Sequence, residues 1–147
     1  MNKFEKSSLI NCKQDELFEF HLSMDNLKEI TPDNIKIIFL QENFIPKEKE
    51  ILKIKTIKNF IPIIWEVKIE KIEKPNLLVD IAIKSPFLYW KHSHLFSKKG
   101  NLCELKDIVE YKLPFGKIGN LFNFLVEKEL NNMFSYRHNK TKKLLEK

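Results

Sequence analysis

The sequence predicts an α+β fold in which one antiparallel sheet of seven strands is covered by a long C-terminal helix. Segments with period-two alternation of apolar and polar residues follow one another through the middle of the chain. Apolar residues with helical spacing occur near the N-terminus and again after Gly116. A single sheet must cover its apolar face, and the C-terminal helix is the obvious cover.

The elements are predicted in a continuous series, without an internal repeat or a low-complexity linker. Ser23 is a plausible N-cap for the second helix, and Thr31-Pro32 ends that helix. The predicted elements are a strand over residues 2–10, helices over residues 14–22 and 24–30, strands over residues 35–40, 50–58, 62–72, 76–84, 87–97 and 102–113, and a helix of about 27 residues from Gly116.

The last helix carries an apolar stripe with spacings of three and four residues, which we expect to face the sheet. Gly116 and Gly119 flank its entry, where the backbone must turn sharply. A strongly bent sheet cannot fill all the space around one helix, so a cavity is expected between them. The stripe consists of Ile118, Leu121, Phe122, Leu125, Val126, Leu130, Met133, Phe134, Leu144 and Leu145.

Composition and charge narrow the class of protein. Its 147 residues fit a single domain over residues 1–147, and 43% hydrophobic residues is ordinary for a globular chain. No apolar run approaches the roughly 20 residues of a membrane span, and residues 1–6 lack the apolar stretch that is typical of a signal peptide. Cys12 and Cys103 form neither a disulfide framework nor a zinc motif. These features predict a cytoplasmic protein without stable membrane insertion.

The net charge of +6 does not by itself indicate a nucleic-acid-binding protein. Most lysines alternate with apolar residues or pair with glutamates, as in the segment 66–71, which is typical of solvated strand faces. The concentrated run at Lys140, Lys142 and Lys143 lies near the end of the last helix, where cations are favourable. No nucleic-acid partner is therefore expected.

Two neighbouring strands carry polar side chains on faces that are otherwise apolar. One face of the first strand holds Leu88, Trp90, His92, His94 and Phe96, and one face of the second holds Cys103, Leu105, Asp107, Val109, Tyr111 and Leu113. His92, His94, Asp107 and Tyr111 should therefore point inward. Because a buried polar group is costly unless it is paired or wetted, the pattern predicts a polar patch inside an apolar cavity.

The turn cluster over residues 97–101 joins these two strands into a hairpin. A loop at Lys99-Gly100 would set His92 opposite Asp107, whereas a loop at Gly100-Asn101 would set His94 opposite Asp107. A shift of the strand register by one residue would pair apolar positions with solvent-facing positions, so it is disfavoured. Both registers place a histidine beside the aspartate, and the sequence leaves the choice open.

The order of elements and a set of motifs resemble the helix-grip superfamily, which includes START lipid-transfer domains and polyketide cyclases, and within it the bacterial ligand-binding SRPBCC proteins. The resemblance covers nearly the whole chain. It implies a START-like helix-grip fold with a cavity, and no particular reaction. Where the family pattern has glutamine and glycine, this chain has Ala82 and Ser85. The residues that carry the resemblance are Ile30-Thr31-Pro32, Trp65, Ile69, Asp80, Pro86-Phe87, Trp90, His92, His94, Phe96, Asp107, Val109, Tyr111, Pro114, Phe115, Gly116, Gly119, Phe134 and Arg137.

The predicted ligand-binding residues are those that line the expected cavity, and each has a simpler structural interpretation. The histidines and Asp107 either contact a ligand or satisfy each other as a structural pair. The position of Asp80, opposite Val79 and Ile81, predicts solvent exposure. Arg137 either reaches a carboxylate such as Asp107 or extends to water. The predicted set is Trp65, Trp90, His92, His94, Phe96, Asp107 and Tyr111.

Metal and cofactor chemistry finds little support. His92, His94 and Asp107 could chelate a metal, but no further ligand is evident, and Trp90 and Phe96 crowd the same face. No phosphate-binding glycine loop and no serine elbow is present. We therefore predict neither a metal nor a cofactor.

The favoured function is a binding protein for an apolar or aromatic small molecule. Apolar walls would supply affinity and the polar patch would orient one end of the ligand. Two alternatives stay open. One is a cyclase or dehydratase in which His92 or His94 acts as a base oriented by Asp107, and the other is a lipid carrier with an exposed apolar rim. No motif indicates the ligand's identity or an oligomeric state.

Overall fold

A computed structural model describes residues 1–146, and it confirms the predicted order of elements. One strand is followed by two short helices, six further strands and C-terminal helices. The elements are β1 Asn2–Ile10, α1 Gln14–Leu22, α2 Met24–Glu29, β2 Ile35–Phe39, β3 Ile51–Lys58, β4 Ile61–Glu73, β5 Leu77–Lys84, β6 Tyr89–Lys99, β7 Leu102–Lys112, α3 Gly116–Leu121 and α4 Asn123–Leu145.

The seven strands form one curled antiparallel sheet in the order β1-β7-β6-β5-β4-β3-β2. Strands β2 to β7 are joined to their neighbours in chain order, and β1 adds to the edge beside β7. The connection from β1 to β2 must therefore cross from one edge of the sheet to the other. Helices α1 and α2 make that crossing, and they enclose one side of the space between the sheet and α4.

The β6–β7 hairpin adopts the register with its loop at Gly100-Asn101, so that His94 lies opposite Asp107. Gly100 has φ +62°, a left-handed conformation that glycine adopts without steric cost. Of the two registers that the sequence allowed, the structure selects this one, and it keeps both histidines on the same face as the aspartate.

The helix predicted from Gly116 is interrupted, which corrects the expectation of one continuous element. The chain enters α3 through Phe115 and Gly116, both with positive φ, and the break between α3 and α4 falls at Phe122. A Cβ atom at Gly119 would lie 1.8 Å from the carbonyl oxygen of Pro114, so only glycine allows this close approach.

The predicted apolar stripe is therefore only partly buried. Leu130 and Phe134 of α4 are 3% and 1% exposed and pack on the sheet. Apart from Val126, which packs against the core, the part of the stripe that precedes them faces solvent, because α3 follows directly on the end of β7, where the sheet stops. The exposed members are Ile118, Leu121, Phe122, Leu125 and, at the other end of α4, Leu144.

Two apolar clusters form the core. One, which we call the packed end, lies where the β6–β7 turn meets α1, and it consists of Ile10, Leu17, Phe18, Leu78, Phe96, Cys103 and Leu105. The second lies under α4 and consists of Trp90, Val109, Tyr111, Leu113, Leu130 and Phe134. No helix within residues 1–146 has both the length and the apolar composition needed to cross a bilayer.

Candidate ligand-binding cavity

A cavity of about 560 Å³ lies between the sheet, the α1–α2 crossing and α4. That volume falls within the roughly 300–1,000 Å³ that is usual for small-molecule sites. Most of the lining is apolar, with Leu27 and Ile30 from the crossing, Ile54 and Val67 from the sheet, and Met133 from α4. A molecule held here would lose much of its apolar surface to these walls.

An aromatic cluster forms part of the cavity wall. The rings of Trp65 and Trp90 meet edge to face with centroids 5.3 Å apart, and the Phe87 ring lies 4.8 Å from that of Trp90. All three residues line the cavity. Their mutual contacts fix the side chains in place, so the wall is formed before any ligand arrives.

All four histidines of the chain line the cavity, gathered around Asp107. His92 Nε2 lies 2.7 Å from Asp107 Oδ1, and His138 Nε2 lies 2.6 Å from Asp107 Oδ2. His94 Nδ1 lies 3.0 Å from Asp107 Oδ1, although its orientation does not meet hydrogen-bond geometry. The His21 ring is 5.6 Å from that of His94. One buried carboxylate therefore organises three imidazole rings directly and a fourth through His94.

The contact of His138 with Asp107 has a structural role of its own. His138 is 1% exposed, and its second ring nitrogen, Nδ1, lies 2.7 Å from the hydroxyl oxygen of Ser8. The imidazole thus connects α4 to β7 and to β1 at the same time. Sequence reasoning missed this residue. Its signal was its spacing, four residues after Phe134 on the buried face of α4.

The charges of the cluster follow from burial and from Asp107. Burial opposes protonation of His94, but the charge of Asp107 and contacts with Asp107 and Asp80 outweigh it and raise the pKa of His94 to about 9. Burial would raise the pKa of Asp107, yet His94 and the other two histidines hold that pKa well below its usual range. Burial and the charge of His94 lower the pKa of His92. The same two causes lower the pKa of His21 to about 4. At neutral pH the cluster therefore contains the ion pair of His94 and Asp107, with His92 and His21 uncharged.

Asp80 lies at the cavity wall, which corrects the prediction that it faces solvent. It pairs with His92 across β5 and β6, and its Oδ2 is 3.5 Å from His94 Nε2. The prediction assumed that Val79, Ile81 and Ile83 marked the inner face of this strand. Val79 is 7% exposed and does line the cavity, but Ile81 and Ile83 do not. They lie on the outer face, and Ile83 is 56% exposed.

Five of the seven predicted ligand-binding residues line the cavity, namely Trp65, Trp90, His92, His94 and Asp107. Phe96 and Tyr111 are not part of the wall. Phe96 packs against Phe18 in the packed end, and the buried Tyr111 donates its hydroxyl hydrogen to Asn123 Oδ1 at 2.7 Å. Both face inward as the alternation predicts, but other core residues cover them.

A metal ion could find ligand atoms on Asp80, His92 and His94, which lie within 4.8 Å of one another. Binding would require an uncharged His94, whereas Asp107 favours its protonated form. Asp107 itself, the third ligand considered from the sequence, already has both oxygens against histidines. The absence of a bound metal therefore stays a prediction.

Neither a protein-family model nor a curated protein sequence matches this chain. Solved structures do. A protein of Chromobacterium violaceum superposes with a TM-score of 0.78 at 7% identity, covering 99% of this chain and 98% of the other. A point mutant of norcoclaurine synthase from Thalictrum flavum, in complex with a transition-state analogue, gives 0.74 at 12% identity, covering 97% and 92%. The di-domain aromatase/cyclase StfQ of the steffimycin biosynthetic pathway gives 0.75 at 10% identity, covering 95% of this chain and 49% of the other.

Proposed function

We propose that this chain, which has the helix-grip fold of the SRPBCC proteins, is a binding protein for a small molecule with an apolar or aromatic body. One observation carries the proposal. The cavity is apolar over most of its surface, and its histidines are gathered around the buried carboxylate of Asp107. A cavity with that asymmetry favours a ligand that has one polar end.

The two kinds of wall would contribute differently to binding. The apolar wall, with the aromatic cluster at Trp65 and Trp90, supplies affinity through burial, at roughly 25 cal/mol for each Å² of apolar surface removed from water. His94 and Asp80 sit at the cavity side of the polar cluster and offer a donor and an acceptor. These groups fix the direction in which the ligand lies more than they fix its affinity.

A cavity-filling variant tests this proposal. Val67 lines the cavity, whereas Lys68 is its neighbour on the other face of the same strand. With phenylnaphthylamine as a neutral aromatic fluorescent probe, we expect binding to the unmodified protein and its loss in Val67→Trp. Lys68→Trp, the matched control, should bind the probe as the unmodified protein does. Equal binding by all three proteins would contradict the proposal.

A lipid carrier is a second candidate, favoured by a large exposed apolar surface at one end of the molecule. We call this surface the apolar end, and it contains Phe60, Ile61, Ile83, Leu88, Phe115, Ile118, Leu121, Phe122, Phe124 and Leu125, each at least 47% exposed. These residues come from the β3–β4 turn, the end of β5, the β5–β6 loop and the β7–α4 segment, which the antiparallel register places at one end of the sheet. Exposed apolar residues gathered at one end in this way are typical of a contact surface.

The charge at this end suits an anionic lipid surface. The exposed side chains of Lys84, Lys112 and Lys117 flank the apolar residues, and no acidic residue occurs between Lys112 and Val126. Leu125 belongs both to the apolar end and to the cavity wall. A ligand could therefore pass between a bilayer and the cavity along Leu125.

Sedimentation with vesicles of phosphatidylcholine and phosphatidylglycerol tests the carrier role. We expect the protein to sediment with these vesicles, and the double variant Leu121→Asn, Phe122→Asn to remain in the supernatant. Ile45 is 65% exposed in the β2–β3 loop at the other end, so Ile45→Asn is the matched control and should sediment normally. If the unmodified protein does not sediment with the vesicles, the lipid-carrier role is excluded and the small-molecule binding proposal is unaffected.

A further inference from the structure

The guanidinium of Arg137 lacks a partner inside the cavity wall. Arg137 lies on α4 between Phe134 and His138, and it lines the cavity. Its Nε atom is fully shielded from solvent and has no hydrogen-bond partner among residues 1–146. A buried donor of this kind costs free energy unless an acceptor meets it, so the folded chain carries an unsatisfied group at this point.

The carboxylates nearest to Arg137 do not reach its guanidinium. Asp107 and Asp80 are the acidic groups whose charges act on it, and burial lowers the pKa of the guanidinium despite them. Both oxygens of Asp107 contact histidines, and the Asp80 carboxylate faces His94. Among the described residues, no carboxylate oxygen comes within ion-pair distance of Arg137. The acceptor that would complete its hydrogen bonds has to come from outside the chain.

Packing holds the guanidinium ready for such an acceptor. The guanidinium carbon lies 5.5 Å from the centroid of the Phe134 ring, an attractive cation–π arrangement. Phe134 is itself 1% exposed and packs against Phe4, with ring centroids 5.5 Å apart. Because the platform is rigid, little side-chain entropy is lost when the guanidinium binds a planar anion through two parallel hydrogen bonds.

We propose that Arg137 receives an anionic head group, of the carboxylate or sulfonate type, on the molecule that occupies the cavity. This inference rests on the proposed function and narrows its ligand class to apolar or aromatic anions. The head group would lie between Arg137 and the protonated ring of His94, and the apolar body would extend toward Trp65 and Trp90. An ionised acceptor is favoured over a neutral one because charge-assisted hydrogen bonds are roughly twice as strong.

Two fluorescent probes that differ by one charge test the inference. Anilinonaphthalene sulfonate and phenylnaphthylamine share their rings, and only the first carries an anionic group. We expect Arg137→Gln to weaken sulfonate binding by about tenfold to a hundredfold, the usual effect of losing a hydrogen bond to a charged group. Binding of the neutral probe should change by less than about twofold. Lys128→Gln removes a positive charge from the exposed face of the same helix and should leave both probes unaffected.

The possible outcomes separate the two proposals. If the neutral probe binds and Arg137→Gln leaves the affinity for the sulfonate unchanged, the head-group assignment is wrong and the binding function stands. If neither probe binds the unmodified protein, the binding function falls, and the assignment falls with it.

A competition experiment on the unmodified protein covers the case in which Arg137→Gln does not fold. Naphthoate and naphthamide differ in the charge of one group, and each is titrated against bound phenylnaphthylamine. Naphthoate should displace the probe at a concentration at least tenfold lower than naphthamide. Equal displacement by the two compounds would overturn the assignment.

Discussion

The two ends of the molecule differ in how far their apolar side chains are exposed to solvent. At the packed end, where α1 covers the β6–β7 turn, Ile10, Leu17 and Phe18 are at most 1% exposed. At the apolar end, where β7 leads into α3, Phe115 is 82% exposed, and Phe60 in the β3–β4 turn is 99% exposed. Composition does not distinguish these ends, since both are rich in leucine, isoleucine and phenylalanine. The difference is that α1 covers one end of the sheet, whereas no helix among the described residues covers the apolar side chains at the other.

This difference separates the part of the chain that provides stability from the part that is available for contacts. Side chains buried in the packed end increase the free energy of unfolding. Those of the apolar end add little, because folding leaves them in water. Regions with few buried contacts open most readily, so the apolar end is also where we expect the largest motions.

Truncating one aromatic ring at each end gives the largest predicted contrast. Phe18 is 1% exposed and meets Phe96 edge to face, so Phe18→Ala removes packed atoms and leaves a void. We expect a loss of about 3–5 kcal/mol in the free energy of unfolding. Phe122, 55% exposed, is the matched control, and Phe122→Ala should change stability by no more than about 0.5 kcal/mol. Urea unfolding measures both, and similar losses would show that the apolar end is covered in solution.

The second largest predicted loss of stability follows from removing the charge of Asp107, which lies between the two ends. Asp107→Asn keeps the side chain's shape but removes the charge that His92, His94 and His138 surround. Because breaking a buried ion pair leaves its partner uncompensated, we expect a loss of roughly 3 kcal/mol. Asp80→Asn, at the cavity wall and 25% exposed, should cost less than about 1 kcal/mol. If the two variants were equally stable, the histidine cluster would serve ligand binding alone and would not support the fold.

The histidines predict how stability depends on pH. Near neutral pH the folded protein holds the His94 proton more tightly than the unfolded chain, since its pKa is raised from 6.5 to about 9. That contribution is complete below about pH 6.5 and is lost as the pH rises toward 9. His21, with its pKa lowered to about 4, and His92, with its pKa also lowered, contribute in the opposite sense, and their stabilisation is lost as the pH falls from 6.5. The free energy of unfolding should therefore be greatest near pH 6.5.

His94→Gln provides the check on this assignment. The variant should lose the decline above pH 6.5 and keep the decline on the acid side, whereas His21→Gln should reduce the acid side only. Urea midpoints between pH 5 and 9 measure both. An alkaline decline of unchanged slope in His94→Gln would assign it to another group.

The sequence predicted the sheet well because strand periodicity reports burial directly. Alternation along β6 and β7 placed His92, His94 and Asp107 on one inward face, and the structure agrees. The same reasoning misplaced Asp80. On a strand with apolar residues on both faces, alternation alone does not say which face is inner.

The features that the sequence did not predict depend on contacts between distant parts of the chain. His138 contacts Asp107, 31 residues away, and Ser8, 130 residues away, and no local pattern encodes such a meeting. The helix break at Phe122 was also not predicted, because the apolar spacing continues through it. Helical periodicity identifies a stripe, but the extent of the sheet beneath it decides how much of that stripe is buried.

The smallest predicted effect concerns the ion pair of Lys58 and Glu129, which joins the end of β3 to α4 beside the apolar end. Its side chains are 34% and 58% exposed, so water screens the attraction. Glu129→Gln should lower the free energy of unfolding by less than about 1 kcal/mol. Its effect on local opening should be easier to detect, because few other contacts hold the start of α4 against the sheet. Amide hydrogen exchange over residues 116–126 should become faster, with no change at Leu105 in the packed end. Faster exchange at both ends would mean that this contact stabilises the molecule as a whole, and the two ends would then unfold together.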